Sequence, residues 1–173
     1  MFDATEQEIP RPKNRKKRKT HYSGKKKKHT LKTQFLTNKK GLIIHKTRCN
    51  PGSKHDYAIF KETKPSIPPD IEGLLDSGYQ GIQKDFPELK TRIPAKKPKG
   101  KKLTKKQKKH NKQLSKERVA IEHVIGKIKK FGIIGTKFRN RHKSYDTRMS
   151  VACGIVNFRT MLKEGMDISS FIG

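Results

Sequence analysis

In a chain of 173 residues with 44 Lys and Arg, only 15 residues are Asp or Glu. Each carboxylate can therefore be asked what chemistry it serves. Asp76 ends a short apolar approach (Ile71, Leu74, Leu75), and a Ser-Gly-Tyr turn follows at once in LLDSGYQG. An Asp so placed is either a turn residue that bonds its own backbone or a carboxylate at a strand's end, where open sheets place their chemistry. Asp3 lies in MFDATEQEIPRP, whose loose alternation and closing prolines predict a short strand. Glu122 sits one helical turn after Arg118 and two turns before Lys129 in KERVAIEHVIGKIKKFG, at the margin of an apolar stripe. By itself the Arg118–Glu122 spacing suits a helix-surface ion pair worth about 0.2–0.5 kcal/mol.

Taken together, two carboxylates at strand ends and one on a helix able to cover the sheet suggest convergence. In a protein of net charge +29, such convergence makes sense when divalent cations hold the carboxylates together. Oxygen ligands of this kind select Mg²⁺, or Mn²⁺ in its place, which keeps several waters and is completed by substrate phosphates. Two such ions about 4 Å apart activate a nucleophile and stabilise the leaving oxygen in phosphoryl transfer. Asp56, in GSKHD, is the rival for the second ligand position. It falls at the first turn of an expected helix, where the dipole favours a carboxylate without any metal. His55 and His123 are expected to pack or support the site, and Tyr22 and Tyr79 have the chemistry to stack or to touch phosphate.

The charge excess far exceeds what solubility needs and implies a polyanionic partner, with nucleic acid first. A membrane surface is disfavoured, because no apolar run approaches the roughly eighteen residues of a spanning helix. The lysines also cluster in polar segments, not along one face of an amphipathic helix. Cys49 and Cys153 lack paired-cysteine spacing, so a zinc site would need His45 or His55 beside Cys49 plus distant ligands. Reduced thiols in a cytoplasmic, nucleoid-associated protein are the expectation. Asp3, Glu6 and Glu8 occupy the place of a signal peptide's apolar region.

The elements that must position these groups belong to one α/β domain over residues 1–173. KNRKKRK (13–19) is expected to be a solvated basic loop. HTLKTQFLTN and GLIIHKTRC flank the turn Asn38-Lys39-Lys40-Gly41 and predict an antiparallel hairpin. SKHDYAIFKET predicts a helix capped by its Ser, and PSIPPD a linker into the strand ending at Asp76. The segment 96–112 carries ten lysines, its first half expected as a loop and its second, from Thr104, as a polar helix. Ser115 is expected to cap a further helix, with Glu117 near its positive end. There Ile121, Val124, Ile125 and Ile128 form one buried stripe, ended by Gly132. A last helix over about 145–164 is expected to bury Met149, Val151, Ala152, Ile155, Val156 and Met161.

In order, DATEQEIPRP, YSGKKKKHTLKTQ, GSKHD, DSGYQG and SKERVAIEHVIGKIKKF resemble the catalytic domain of DDE-type bacterial insertion-sequence transposases, with similarity extending to Harbinger-like relatives. The resemblance implies an RNase H-like mixed sheet flanked by helices. It implies Asp3, Asp76 and Glu122 as the catalytic, metal-holding carboxylates. It implies that Lys129 is directed at the DNA backbone and that Gly78 lets the chain turn away beneath Asp76. Arg118, Lys25, Lys26, Lys27, Lys101, Lys102, Lys105 and Lys106 are expected to grip DNA phosphates with it. Only Met1 and Phe2 precede Asp3, whereas such enzymes carry an N-terminal helical DNA-binding region and a full first strand. The chain is accordingly expected to be the C-terminal part of a transposase with an incomplete first strand, its N-terminal part encoded separately or lost. The implied activity is phosphodiester hydrolysis at transposon ends and strand transfer into target DNA, with copies associating in a synaptic complex. Composition alone fits equally well a non-catalytic nucleic-acid-binding protein of ribosomal or nucleoid type. The carboxylate triad separates the two.

Overall fold

The alternation in FDATEQE does form a strand, β1 (Phe2–Glu8), in the computed structural model, which describes residues 1–68, 71–98, 100 and 102–166. β1 runs antiparallel to the ten-residue β3 (Lys28–Thr37), in register from Phe2 opposite Leu36 to Glu8 opposite Thr30. Asp3 is therefore pinned opposite Phe35 within a seven-residue strand. β3 also pairs antiparallel with β2 (Tyr22–Ser23), β4 (Ile43–Lys46) and β5 (Asn50–Pro51). The β3–β4 hairpin turns where expected: the Asn38 side chain accepts from the Leu42 amide at 2.9 Å, and the Gly41 amide donates to the Asn38 carbonyl.

A second, two-stranded sheet pairs β6 (Gly73–Leu74) in parallel with β7 (Thr91–Arg92). The α/β class holds, with antiparallel and parallel pairing divided between two sheets among the described residues. α2 (Asp56–Thr63) and α3 (Ile82–Asp85) accompany these strands. Phe60 of α2 packs edge-on against Phe2, Tyr79 and Phe86 at 5.3, 6.0 and 5.5 Å. Leu75 and Ile82 complete this small cluster. The larger cluster joins Leu31 and Phe35 of β3 to α4 (Lys105–Lys129) and α6 (Tyr145–Lys163). In α4, Leu114, Ile121, Val124, Ile125 and Ile128 are buried, as the stripe requires.

Local chemistry redraws several boundaries. Most of the run 13–19, expected as loop, instead lies in helix α1 (Arg15–His21), because the Asn14 side chain accepts from the Lys17 amide and long straight-chain residues favour helix. Ser115 caps nothing. Thr104 and Gln107 form a capping box, and one continuous 25-residue helix results. Glu117 therefore lies mid-helix, where it pairs with Arg92 of β7 through two hydrogen bonds, 2.5 and 3.2 Å. α2 starts at Asp56 with His55 at the cap position, because the Ser53 hydroxyl is engaged with the Thr20 carbonyl at 2.5 Å. α4 ends at Lys129, and Gly132 opens the short α5 (Gly132–Gly135). α6 buries Met149, Ala152, Cys153 and Val156, but Val151 and Ile155 are exposed. Cys49 and Cys153 are free thiols; the Cys49 amide donates to Asp146. No helix of the described residues is long and apolar enough to cross a membrane.

Candidate active site

Three segments bring the acidic residues together. Asp3 comes from β1. Asp76 follows one residue beyond the end of β6, after Leu75, whose amide donates to the Arg92 carbonyl at 3.1 Å. The Arg92–Glu117 pair ties β7, the neighbour of β6, to α4. From α4, Arg118 reaches both aspartates: Nη1 lies 3.2 Å from Asp76 Oδ1, and Nη2 lies 3.5 Å from Asp3 Oδ2. The two expected carboxylates thus share one guanidinium, and Arg118 engages them instead of Glu122 on its own helix. Asp76 does act as a turn residue. Its Oδ1 accepts from the Ser77 amide at 2.6 Å, capping a 3-10 turn over Ser77–Tyr79, while the same carboxylate meets Arg118. Gly78 is not needed for a left-handed bend, since its φ is not positive and a Cβ there would meet Asp56 at an ordinary 3.9 Å.

Beside the pair opens a cleft of about 410 Å³, lined among others by Asp3, Glu6, Asp56, Asp76, Lys26 and Lys129. Its far wall is a buried ion cluster that sequence reasoning missed. Lys32 Nζ lies 3.0 Å from Asp56 Oδ1 and 3.5 Å from Glu6 Oε1, and donates to the Lys54 carbonyl at 2.7 Å. The available signal was the cross-strand register, which sets Glu6 opposite Lys32. Asp56 therefore carries a charge partner in addition to its helix terminus. Gly52 forms part of the rim: a Cβ there would lie 1.9 Å from the Thr30 hydroxyl, so only glycine lets the loop close on β3.

Charge in the cleft is balanced unevenly. Burial raises the Asp3 carboxyl above its usual range, and neighbouring Asp76 and Asp56 push the same way, opposed by the Ala4 amide and Arg118. Burial lowers the Lys129 ammonium, as does nearby Lys26, while Asp3 and Glu6 oppose that shift. Tyr79 is buried with its hydroxyl unpartnered among the described residues. Burial and then the three aspartates raise its pKa well above the usual value, and at 1% exposure its ring cannot stack on nucleic acid. Tyr22 is exposed at the rim. His55 lines the cleft, and His123 is exposed on α4.

Replacing Arg118 with Gln is expected to raise the Asp3 pKa further, because the remaining causes other than the Ala4 amide all act upward. A folded pKa above the unfolded one gives stability that is full below the unfolded value and lost as pH rises through the folded one. Arg118→Gln should therefore be more destabilising at neutral pH than in acid. Carboxyl NMR titration and unfolding at the two pH values check this, and an unshifted Asp3 would contradict it.

Glu122 is exposed and is not among the residues lining the cleft. Among the described residues, no three His, Cys, Asp or Glu side chains are gathered as a ready-made metal site. The donor chemistry of Asp3 and Asp76 nevertheless fits a hard cation, since both carboxylates already converge on one positive charge. Of the residues expected to touch DNA, Lys25 and Lys26 line the cleft, Lys27 is exposed in the same turn, and Lys102, Lys105 and Lys106 are exposed around the start of α4. Lys101 lies outside the described residues.

β1 and the segment after β6 thus deliver two aspartates to one cleft, and α4 contributes Lys129 to its lining. The family model "DDE superfamily endonuclease" matches residues 2–157, and the chain belongs to that family. It is 39% identical over 163 residues to a protein of Microchaete diplosiphon described as "Probable transposase for insertion sequence element IS702". That alignment covers 94% of this chain and 58% of the relative. No solved structure matches the chain.

Proposed function

We propose that this chain carries the catalytic domain of an insertion-sequence transposase, cleaving DNA at transposon ends and joining the freed 3′-hydroxyl to target DNA. The observation that carries this reading is the convergence of Asp3 and Asp76, from separate strands, on a single guanidinium at the mouth of a basic cleft. Asp3 and Asp76 would hold the divalent ion, Mg²⁺ or Mn²⁺; Glu122, exposed on α4 and outside the lining of the cleft, would be the third carboxylate on the family resemblance alone. When bound, such ions supply an activated nucleophile and charge stabilisation on the leaving oxygen. The protein's own part is to hold the carboxylates and to place phosphates with Lys25, Lys26 and Lys129. An RNase H-like arrangement, with Asp3 on an edge strand beside the segment bearing Asp76, goes with this reading. So does the joining of two ends in a synaptic complex of more than one copy. A purely binding protein of ribosomal or nucleoid type has no use for two aspartates held against an arginine.

The test is nicking of duplex DNA carrying the element's ends, by this chain joined to the remaining part of its relatives' length. Cleavage should need Mg²⁺ or Mn²⁺ and stop with chelator. DNA binding without cleavage under any metal would favour the binding-protein alternative.

The lysines at 102, 105, 106, 108 and 109 are exposed, and we propose that they bind phosphate. Each phosphate neutralised adds about −0.9 to the slope of log K against log salt for duplex DNA. Changing all of them to Gln keeps α4 intact, whereas deleting 96–112 would remove its capping box. The slope should become shallower by several units in filter-binding or anisotropy titrations. An unchanged slope would make this stretch a solvated helix only.

A further inference from the structure

Outside the cleft, a second concavity of about 620 Å³ is lined by Arg11, Arg15, Arg18, Lys19, Tyr22 and His29. No carboxylate lines it, and none of its four Arg and Lys side chains has an acidic partner within 4.0 Å among the described residues. Arg15, Arg18 and Lys19 stand on one side of α1, at spacings of three and four residues, where like charges repel. His29 is held below its usual pKa by partial burial and then by Arg11, His21 and Arg18. Such a patch is costly unless an anion neutralises it.

Tyr22 gives the patch a second character. It is 42% exposed, meets His29 edge-on at 5.4 Å, and lines both this concavity and the cleft that holds Asp3 and Asp76. Unpaired cations beside an exposed aromatic form the combination that takes single-stranded nucleic acid, whose bases stack while its phosphates follow the charge. We propose that this groove receives a short single-stranded DNA segment continuous with the strand in the cleft, with a base on Tyr22 and phosphates on Arg15, Arg18 and Lys19. The proposal rests on the nuclease reading for what occupies the cleft, but not for its test.

That test omits the metal and compares a blunt duplex with the same duplex bearing a single-stranded tail with 2-aminopurine, by anisotropy and fluorescence quenching. The tail should tighten binding by about tenfold and quench the probe, as one stacked base does. Tyr22→Phe should keep both effects, while Tyr22→Ala should lose the quenching and most of the tenfold. Arg15→Gln with Arg18→Gln should make the salt slope of the tail's contribution shallower, by about 0.7 for each phosphate no longer neutralised. A tail that adds nothing, or full quenching in Tyr22→Ala, overturns the proposal and leaves the patch as a binding surface for duplex phosphates. Because no cleavage is read, absence of nicking and absence of tail binding are separate results.

Discussion

Asp76→Asn is expected to abolish metal-dependent nicking, lowering it by about a hundredfold or more. The substitution keeps the side chain's size and its cap on Ser77, since an amide oxygen can still accept. It removes the charge that, in the proposed function, holds the cation together with Asp3. Losing even an outlying partner of a metal ligand costs about 10–100-fold, so if Asp76 is a ligand, as proposed, its loss should cost at least as much. DNA binding should be unchanged or slightly tighter, because one negative charge near the phosphates has gone. Asp56→Asn is the informative comparison. It weakens the pair with Lys32 at 3.0 Å but leaves the Asp3–Asp76 convergence intact, so nicking should fall far less. The opposite order of effects, measured under identical metal and salt, would show that Asp56 is the ligand. Survival of nicking in both variants would remove the activity from this cleft.

The largest stability loss is expected from Phe35→Ala. Phe35 is fully buried in the second half of β3, among the residues that join the sheet to α4 and α6. Truncating such a side chain costs about 3–5 kcal/mol, through reduced burial and the cavity left behind. Domains are typically stable by only about 5–15 kcal/mol, so the variant should unfold at much lower denaturant. Ile44→Ala, at a position 63% exposed, should change stability by less than about 0.5 kcal/mol. Phe35 also stands opposite Asp3 in the ladder. Its loss should therefore loosen the strand that presents that carboxylate and reduce nicking in folded protein as well. Equal unfolding midpoints for the two variants would mean that the packing of β3 on α4 is not the main core.

What was legible in the sequence was governed by rules that act over a few residues. The stripe Ile121, Val124, Ile125, Ile128 marks a buried helix face because four side chains at that spacing share one side of any helix. Asn38 to Gly41 marks a hairpin because its turn chemistry is local. Asp76 after a short apolar run marks a strand end for the same reason. The family motifs are strings of this kind, and the match over 2–157 follows them. Near misses also came from local competition: Thr104 outcompeted Ser115 because it had Gln107 in reach, and Asn14 made a helix of a run whose charge suggested a loop.

The site itself was decided by pairings between distant residues. Nothing near Arg118 in sequence says that it will leave Glu122, one turn away, for Asp76 and Asp3, 42 and 115 positions away. That choice depends on where the Arg92–Glu117 pair sets α4 against the small parallel sheet. Likewise, Lys32 became the buried partner of Asp56 and Glu6 only because β3 is central and α2 folds back over it. Tyr79 was drawn inside by Phe60, and Tyr22 was left outside at the join of two concavities. A carboxylate's chemistry depends on its charge neighbours and its distance from water, and both are properties of the packed chain.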